Sequence, residues 1–231
     1  MGTRRPAPVL TRRHVLVGAA GTAGAWVTPS VVKLDRVAAA TGSCGLAVTR
    51  VDWTDFAPTT TMPASVTAND GTVVSLSLTG STNLLQPGYV GNVRQGQRGG
   101  LNDYLALGMS GATNGAGVTL AMSFSRPVQV CFMLLDVDRW RPGWEDSITL
   151  RASVGGTAVS ISRADIALQG NGVRYVGQNG LRGRRNARNS QSIANADFNA
   201  PRPVDRVEFD YFDRTSASSV QVVGVHDLRW C

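Results

Sequence analysis

Strict alternation of apolar and polar residues is the feature of this sequence that most restricts its fold. Apolar residues occupy every second position from Val74 to Leu78 and from Val118 to Phe124, with Ser, Thr or Ala between them. Because successive side chains of a strand point to opposite faces, the pattern predicts half-buried β-strands. Further strand-like runs lie at 46–53, 128–137, 147–154, 158–161, 206–211 and 220–228. No stretch after residue 40 shows a sustained helical period.

Turn-forming residues separate these runs. Asn69-Asp70-Gly71 is one such signal, and Gly155-Gly156 can close a two-residue hairpin. Eight or more strands in a chain of 231 residues predict one all-β domain, an antiparallel two-sheet sandwich that is jelly-roll-like. Residues 86–102 and 170–199 break the pattern and are rich in Gly, Asn, Gln or Arg. They predict long loops, which are uncommon unless functional or mobile.

Residues 1–40 are predicted to be an export signal that precedes a single β-sandwich domain over 41–231. Arg12-Arg13 lead into an apolar run that extends to Val32, and the small residues Ala38-Ala39-Ala40 follow. The paired arginines, followed at one residue's remove by two apolar residues, resemble a twin-arginine translocation signal. The resemblance implies export in the folded state by the twin-arginine machinery.

An uncleaved membrane anchor is the alternative for this segment, because its apolar run is close to the length that spans a bilayer. The Gly and Ala content of the run and its interruption by Pro29 favour cleavage. We therefore expect a secreted or cell-surface protein with no stable membrane span after cleavage.

The positive charge of the chain is concentrated in this signal. Of 23 basic and 16 acidic residues, six basic residues and one acidic residue precede Ser43. The remainder holds 17 basic residues against 15 acidic ones and is close to neutral. Its charge predicts no nucleic-acid partner.

Three cysteines follow the signal, and export makes a disulfide bond feasible. Three pairings are open. Cys44 precedes the first strand-like run and Cys231 is the last residue, so a Cys44–Cys231 bond is predicted to join the ends of the domain. Cys131 lies inside an apolar run and is predicted to be a small buried residue.

A longer segment resembles the β-sandwich modules of secreted bacterial surface proteins. Phe124 and Pro127-Val128 open a strand that runs to Asp136-Val137-Asp138, and a short loop, Asp146 and the next strand follow. The ending 223–230 resembles the closing strand of these modules. The resemblance implies a sandwich over residues 46–230 and an extracellular location, and it implies no particular activity.

Asp136, Asp138 and Asp146 are predicted to lie close together, because strands hold both ends of the loop between them. If the strand continued regularly to this point, alternation would place Asp136 and Asp138 on the same face. Three such carboxylates repel one another unless a cation or arginines neutralise them. A calcium ion suits the site because it takes 6 to 8 oxygen ligands. The alternatives are that Arg139 and Arg141 pair with the carboxylates, or that an aspartate caps the turn.

The loop also carries Trp140 and Trp144, which predict an aromatic platform for a sugar ring, with Arg139, Arg141 and neighbouring carboxylates binding its hydroxyl groups. The alternative is that both indoles cover one end of the core. The arginine-rich stretch 182–188 can contact polyanions, or it can be a solvated loop, since no aromatic residues interleave with its arginines.

Catalytic patterns are weak in this sequence. His226 is the only histidine after the signal, and there is no Gly-x-Ser-x-Gly motif. Glu145 or Glu208 can form a glycosidase pair with an aspartate, but sequence does not set the separation. The prediction is a binding module for carbohydrate or another cell-envelope ligand, and not an enzyme. A secreted glycan-active hydrolase and a structural envelope protein with no small ligand are the alternatives.

Overall fold

The computed structural model describes residues 49–56, 61–85, 92–94, 98–101, 103–109, 116–140, 143–188, 190–215 and 221–231. All of them belong to one compact unit, Ala39–Cys231. The predicted signal over 1–40 lies outside the described residues, and its assignment stays a prediction. Within these ranges, no helix is long and apolar enough to cross a membrane.

The described residues form short and long β-strands joined by turns and single-turn 3₁₀ helices. The strands are β1 (Thr49–Val51), β2 (Ser65–Thr67), β3 (Val73–Gly80), β4 (Asn92–Arg94), β5 (Tyr104–Met109), β6 (Gly117–Val128), β7 (Val130–Leu135), β8 (Arg139–Trp140), β9 (Trp144–Val154), β10 (Thr157–Val159), β11 (Ile166–Leu168), β12 (Val173–Val176), β13 (Gly180–Gly183), β14 (Ala196–Asn199), β15 (Val204–Asp213) and β16 (Gln221–Trp230). The 3₁₀ helices are Trp53–Asp55, Thr82–Leu84, Arg163–Asp165 and Ser192–Ala194.

The strands build two antiparallel sheets that pack face to face. The first sheet has the order β11-β14-β7-β16-β5-β4, and β1 also pairs with β16. The second has the order β12-β13-β9-β15-β6-β3-β2, and β8 and β10 each pair with β9. The inner strands β14-β7-β16-β5 and β13-β9-β15-β6 follow the strand order of a jelly roll. The predicted fold class, an all-β antiparallel sandwich, is confirmed.

The core lies between the sheets and contains the apolar residues that alternation had marked in β3 and β6. Val74, Leu120 and Met122 are fully buried there. Full burial of one such large side chain contributes about 1.5–3 kcal/mol. Trp230 of the closing strand is also fully buried, and its indole Nε1 donates a hydrogen bond of 3.0 Å to Asp70 Oδ2. The indole thereby keeps its apolar body in the core and satisfies its polar atom.

The two-residue hairpin predicted at Gly155-Gly156 is confirmed. Val154 of β9 pairs with Thr157 of β10, and the two glycines between them have φ angles of 55° and 76°. Positive φ at both central residues is what a type I′ turn requires, and glycine adopts it without steric cost.

The strand predicted over 128–137 is wrong in its bounds. Gln129 separates β6 from β7, and β7 ends at Leu135 because Asp136 adopts a φ of 62°.

Cys131 is half-buried, not buried, since Val130 and Phe132 face the core and the residue between them faces outward. Cys44 lies outside the described residues, so the Cys44–Cys231 bond stays a prediction.

Two further expectations were wrong. The strand expected at Ser147 begins three residues earlier, at Trp144, and the region 170–199 contains β12, β13 and β14. These strands have four residues each, and β13 both begins and ends with glycine. At four residues each, these segments are too short for a pattern of alternation to stand out as it does in the longer strands.

Candidate functional site

Residues 136–138 carry the chain from β7 in the first sheet to the hairpin that begins β9 in the second. Asp136 opens this crossing with a φ of 62°, a region that Asp adopts more readily than most residues. Its N–H donates to Asn195 Oδ1 at 3.1 Å, and the N–H of Val137 donates to the Ala194 carbonyl at 2.9 Å. Because the strand has ended, the alternation argument that placed Asp136 and Asp138 on one face does not apply.

The expected loop with two tryptophans is largely a hairpin of β8 and β9. Arg139 pairs with Glu145, and Trp140 pairs with Trp144. The two indole rings lie 5.0 Å apart between centroids at an angle of 43°. Trp144 is half-buried and Trp140 is 44% exposed, and neither belongs to the core between the sheets. The structure therefore brings the two predicted aromatic residues together at the surface.

Asp138 connects this hairpin to the arginine-rich stretch. Its Oδ1 accepts a hydrogen bond of 2.5 Å from Trp144 Nε1, and its Oδ2 accepts one of 2.8 Å from the backbone N–H of Ala187. One buried carboxylate thus links the hairpin to a residue that lies 49 positions from Asp138 in the sequence. Sequence reasoning identified Asp138 as a site residue but missed Ala187, because backbone donors leave no sequence signal.

Asp146 and Asp136 also have protein donors. Asp146 Oδ1 accepts from the Tyr211 hydroxyl at 2.8 Å, and its Oδ2 accepts from the N–H of Asp138 at 3.1 Å. Asp136 Oδ2 forms an ion pair of 2.6 Å with Arg98 Nη1. Asp136 Oδ1 is buried and has no hydrogen-bond partner within the described part of the chain.

Burial makes these carboxyl groups weaker acids than free aspartate. Burial raises the pKa of Asp138 to about 6, the charge of Asp136 adds to the shift, and the hydrogen bonds from Ala187 and Trp144 oppose it. Burial and the charge of Asp138 raise the pKa of Asp146 well above its usual range. Burial raises the pKa of Asp136 as well, against the opposing effect of Arg98. Asp136, Asp138 and Asp146 therefore form a cluster of carboxyl groups that readily takes up a proton.

The cluster fits the predicted calcium ion only in part. Within the described ranges, no group of three or more His, Cys, Asp or Glu side chains is arranged to hold a metal ion. Asp138 and Asp146 offer oxygens that already accept protein hydrogen bonds, which leaves Asp136 Oδ1 as the acceptor without a donor. Calcium binding by Asp136, Asp138 and Asp146 stays a prediction.

Arginines form ion pairs with carboxylates in this region, but the pairs differ from the predicted pairing of Arg139 and Arg141 with the three aspartates. Arg98, which sequence reasoning missed, pairs with Asp136. Arg139 pairs with Glu145 at 2.9 Å, and Arg182 pairs with the other oxygen of the same carboxylate. Arg141 lies outside the described residues. No sequence pattern indicates that Arg98 and Asp136 meet, because 38 residues separate them.

The two glutamates considered for catalysis both face arginines. Glu145 is buried between Arg139 and Arg182. Glu208 is held by Arg151 and Arg206. Burial alone would raise the pKa of Glu208, but the hydrogen bonds from Arg206 and Arg151 outweigh it and lower that pKa. A glycosidase acid needs a shift in the opposite direction.

The arginine-rich stretch lies beside the hairpin. Arg139, Trp140, Arg184, Arg185 and Asn186 line an open depression of about 510 Å³. The N–H of Arg139 donates to the Arg185 carbonyl at 3.3 Å. The arrangement provides an exposed indole face and nearby guanidinium groups at one surface, which can bind a ring that carries polar or charged substituents.

Comparison with known proteins adds little to this geometry. No protein-family model and no curated protein sequence matches the chain. One similar solved structure is the enzymatically active domain of tailspike protein 4 of bacteriophage CBA120, at 16% identity and a TM-score of 0.27. The match covers 66% of this chain and 18% of that chain. A likeness of this size carries no argument about function, and the resemblance to modules of secreted bacterial surface proteins stays a prediction.

Proposed function

We propose that this protein is an exported glycan-binding module in which a sugar ring stacks on Trp140. The exposure of Trp140 is the observation that carries the proposal. Trp53 and Trp230 are fully buried, whereas Trp140 leaves 44% of its surface in water at the edge of a depression. An indole contributes most to stability when it is buried, so an exposed one beside polar groups is typical of a binding surface.

The contacts beneath Trp140 support the proposal because they hold the platform in place before a ligand arrives. Trp144 packs against Trp140 and is itself anchored to Asp138. The Thr215 hydroxyl donates to the Gly143 carbonyl at 3.1 Å, which supports the end of the hairpin. A surface that is already ordered loses less conformational entropy on binding.

Replacement of Trp140 by alanine is expected to weaken binding of glycan-array hits at least tenfold, because an aromatic anchor supplies much of the energy of such a contact. Isothermal titration with the strongest hit measures the change. Val176→Ala is the matched control, since Val176 is equally exposed at 44% and does not line the depression. Equal affinity of Trp140→Ala and the unaltered protein would contradict the proposal.

An activity assay on the same hits separates binding from hydrolysis. We expect no new reducing ends after incubation of each hit with the protein. Release of reducing ends, lost in Glu145→Gln or Glu208→Gln, would replace the binding module with a glycan-active hydrolase. An array with no hits at all would favour a structural envelope protein.

Export by the twin-arginine route is part of the proposal. We expect the double variant Arg12→Lys and Arg13→Lys to remain in the cytoplasm, because the translocation signal depends on the arginine pair. Cell fractionation measures the distribution of the protein. Arg4→Lys with Arg5→Lys is the matched control, since it alters a second arginine pair outside the motif and should leave export unchanged. Normal export of the Arg12 and Arg13 variant would remove the twin-arginine assignment.

A further inference from the structure

We propose that the glycan bound at this hairpin is acidic, and that Arg184 and Arg185 recognise a carboxylate or sulfate group on the sugar. The inference rests on the proposed glycan binding and adds the chemical class of the ligand. It depends on which of the neighbouring arginines are already neutralised and on how the arginine-rich stretch is held beside Trp140.

The arginines around the depression fall into two groups. Arg139 and Arg182 share the carboxylate of Glu145, so their charge is partly balanced within the protein. Arg184 and Arg185 are exposed, and neither forms an ion pair with any residue that the structure describes. Both line the depression with Trp140. The site therefore presents guanidinium groups that remain available to an anion.

The backbone of this stretch is held in place relative to the hairpin. The N–H groups of Arg184 and Arg185 both donate to the Gly172 carbonyl, at 2.7 and 3.3 Å. The Arg185 carbonyl accepts from Arg139, and the Ala187 N–H donates to the Asp138 carboxylate. The two arginines are thus carried by an anchored segment, which reduces the entropy lost when they bind a ligand.

The combination of groups favours an acidic sugar over other anions. A planar guanidinium binds carboxylate and sulfate oxygens through two parallel hydrogen bonds, and such charge-assisted bonds are the strong ones. An indole face contributes only if the ligand also has a ring or another apolar face to stack. An anionic chain without rings would use the arginines and leave Trp140 without a contact.

The test compares acidic glycans with neutral forms of the same polymers. The probes are polygalacturonate and hyaluronan, each paired with its methyl ester, together with the acidic hits of the glycan array. We expect the unaltered protein to bind at least one acidic member tenfold or more tightly than its ester. The double variant Arg184→Gln and Arg185→Gln should lose at least tenfold in affinity for the acid, and its preference for the acid over the ester should disappear. Arg202→Gln, which alters an exposed arginine outside the depression, should bind as the unaltered protein does.

The outcomes that overturn the inference differ from those that overturn the proposed function. Equal affinity for acid and ester, with binding still dependent on Trp140, would overturn the acidic ligand and leave glycan binding intact. Binding of inorganic polyphosphate as tight as that of the glycan, and unaffected by Trp140→Ala, would show a general polyanion site and overturn the inference. The absence of binding to every sugar would overturn the proposed function itself.

Discussion

Between about pH 4 and pH 7, the free energy of unfolding of the Asp138→Asn variant is expected to change with pH by roughly 3 kcal/mol less than that of the unaltered protein. Burial raises the pKa of Asp138 from its ordinary value of 3.8 to about 6. Between these values the folded state holds a proton that the unfolded state has released. The unfolding free energy therefore falls as pH rises through this window, by about 1.4 kcal/mol for each pH unit of the shift.

Other titratable groups also contribute to the pH dependence of the free energy of unfolding. Burial also raises the pKa of Asp136 and Asp146, so the variant should retain part of the same slope. His226 acts in the opposite direction, because burial lowers its pKa and its contribution to stability is lost as pH falls. Urea unfolding at half-unit steps from pH 4 to pH 7.5 gives the slope for each protein, and the exposed Asp55→Asn is the control. Identical slopes for Asp138→Asn and the unaltered protein would contradict the assignment.

The same measurement in calcium and in chelator decides whether the three carboxyl groups take up a proton or bind a cation. A bound calcium ion keeps the carboxylates ionised, so stability would then fall as pH falls. At about a hundred times its dissociation constant, calcium would add roughly 2.7 kcal/mol of stability at neutral pH. Superimposable curves in calcium and chelator would remove the calcium site and leave the cluster held by Arg98 and by the hydrogen bonds of Asp138.

Sequence reasoning predicted the fold well where strands are long and bury one face. The alternation in β3 and β6 identifies which face of each strand is buried. Val74, Leu120 and Met122, which it marks as facing inward, all lie in the core. Alternation did not identify the strands β12, β13 and β14. They are short, and some of their positions are set by close backbone packing. Gly183, for example, lies against the backbone of Asp138.

The candidate site was predicted in its residues but not in its contacts. The spacing of Trp140 and Trp144 suffices to place them in one connection between strands, and the structure pairs them. The partners of the aspartates come from elsewhere in the chain, since Arg98 is 38 residues from Asp136 and Ala187 is 49 residues from Asp138. Contacts at such separations depend on how the sheets are connected, which local patterns do not encode.

Gly183→Ala is expected to destabilise the domain by about 2–6 kcal/mol, at a point where the arginine-rich stretch packs against the backbone that enters the hairpin. A Cβ on Gly183 would lie 1.9 Å from the Asp138 carbonyl oxygen and 2.9 Å from the Arg139 nitrogen. Both atoms belong to the backbone, so no side-chain rotation relieves the overlap. Overpacking in a well-packed region costs typically 1–3 kcal/mol. The required shift also disturbs the bond between Ala187 and Asp138, whose loss adds about 1–3 kcal/mol.

Urea unfolding of Gly183→Ala and of Gly71→Ala measures this effect. Gly71 is the matched control because a Cβ there meets nothing within 4 Å, and its φ of 80° imposes only a conformational cost of about 1–2 kcal/mol. Since the overlap separates the stretch carrying Arg184 and Arg185 from the hairpin carrying Trp140, the folded fraction of Gly183→Ala should also bind the array hits more weakly. Equal destabilisation by the two substitutions would show that the hairpin and this stretch are not packed backbone to backbone, and the depression between them would then lack the fixed geometry that its proposed ligand requires.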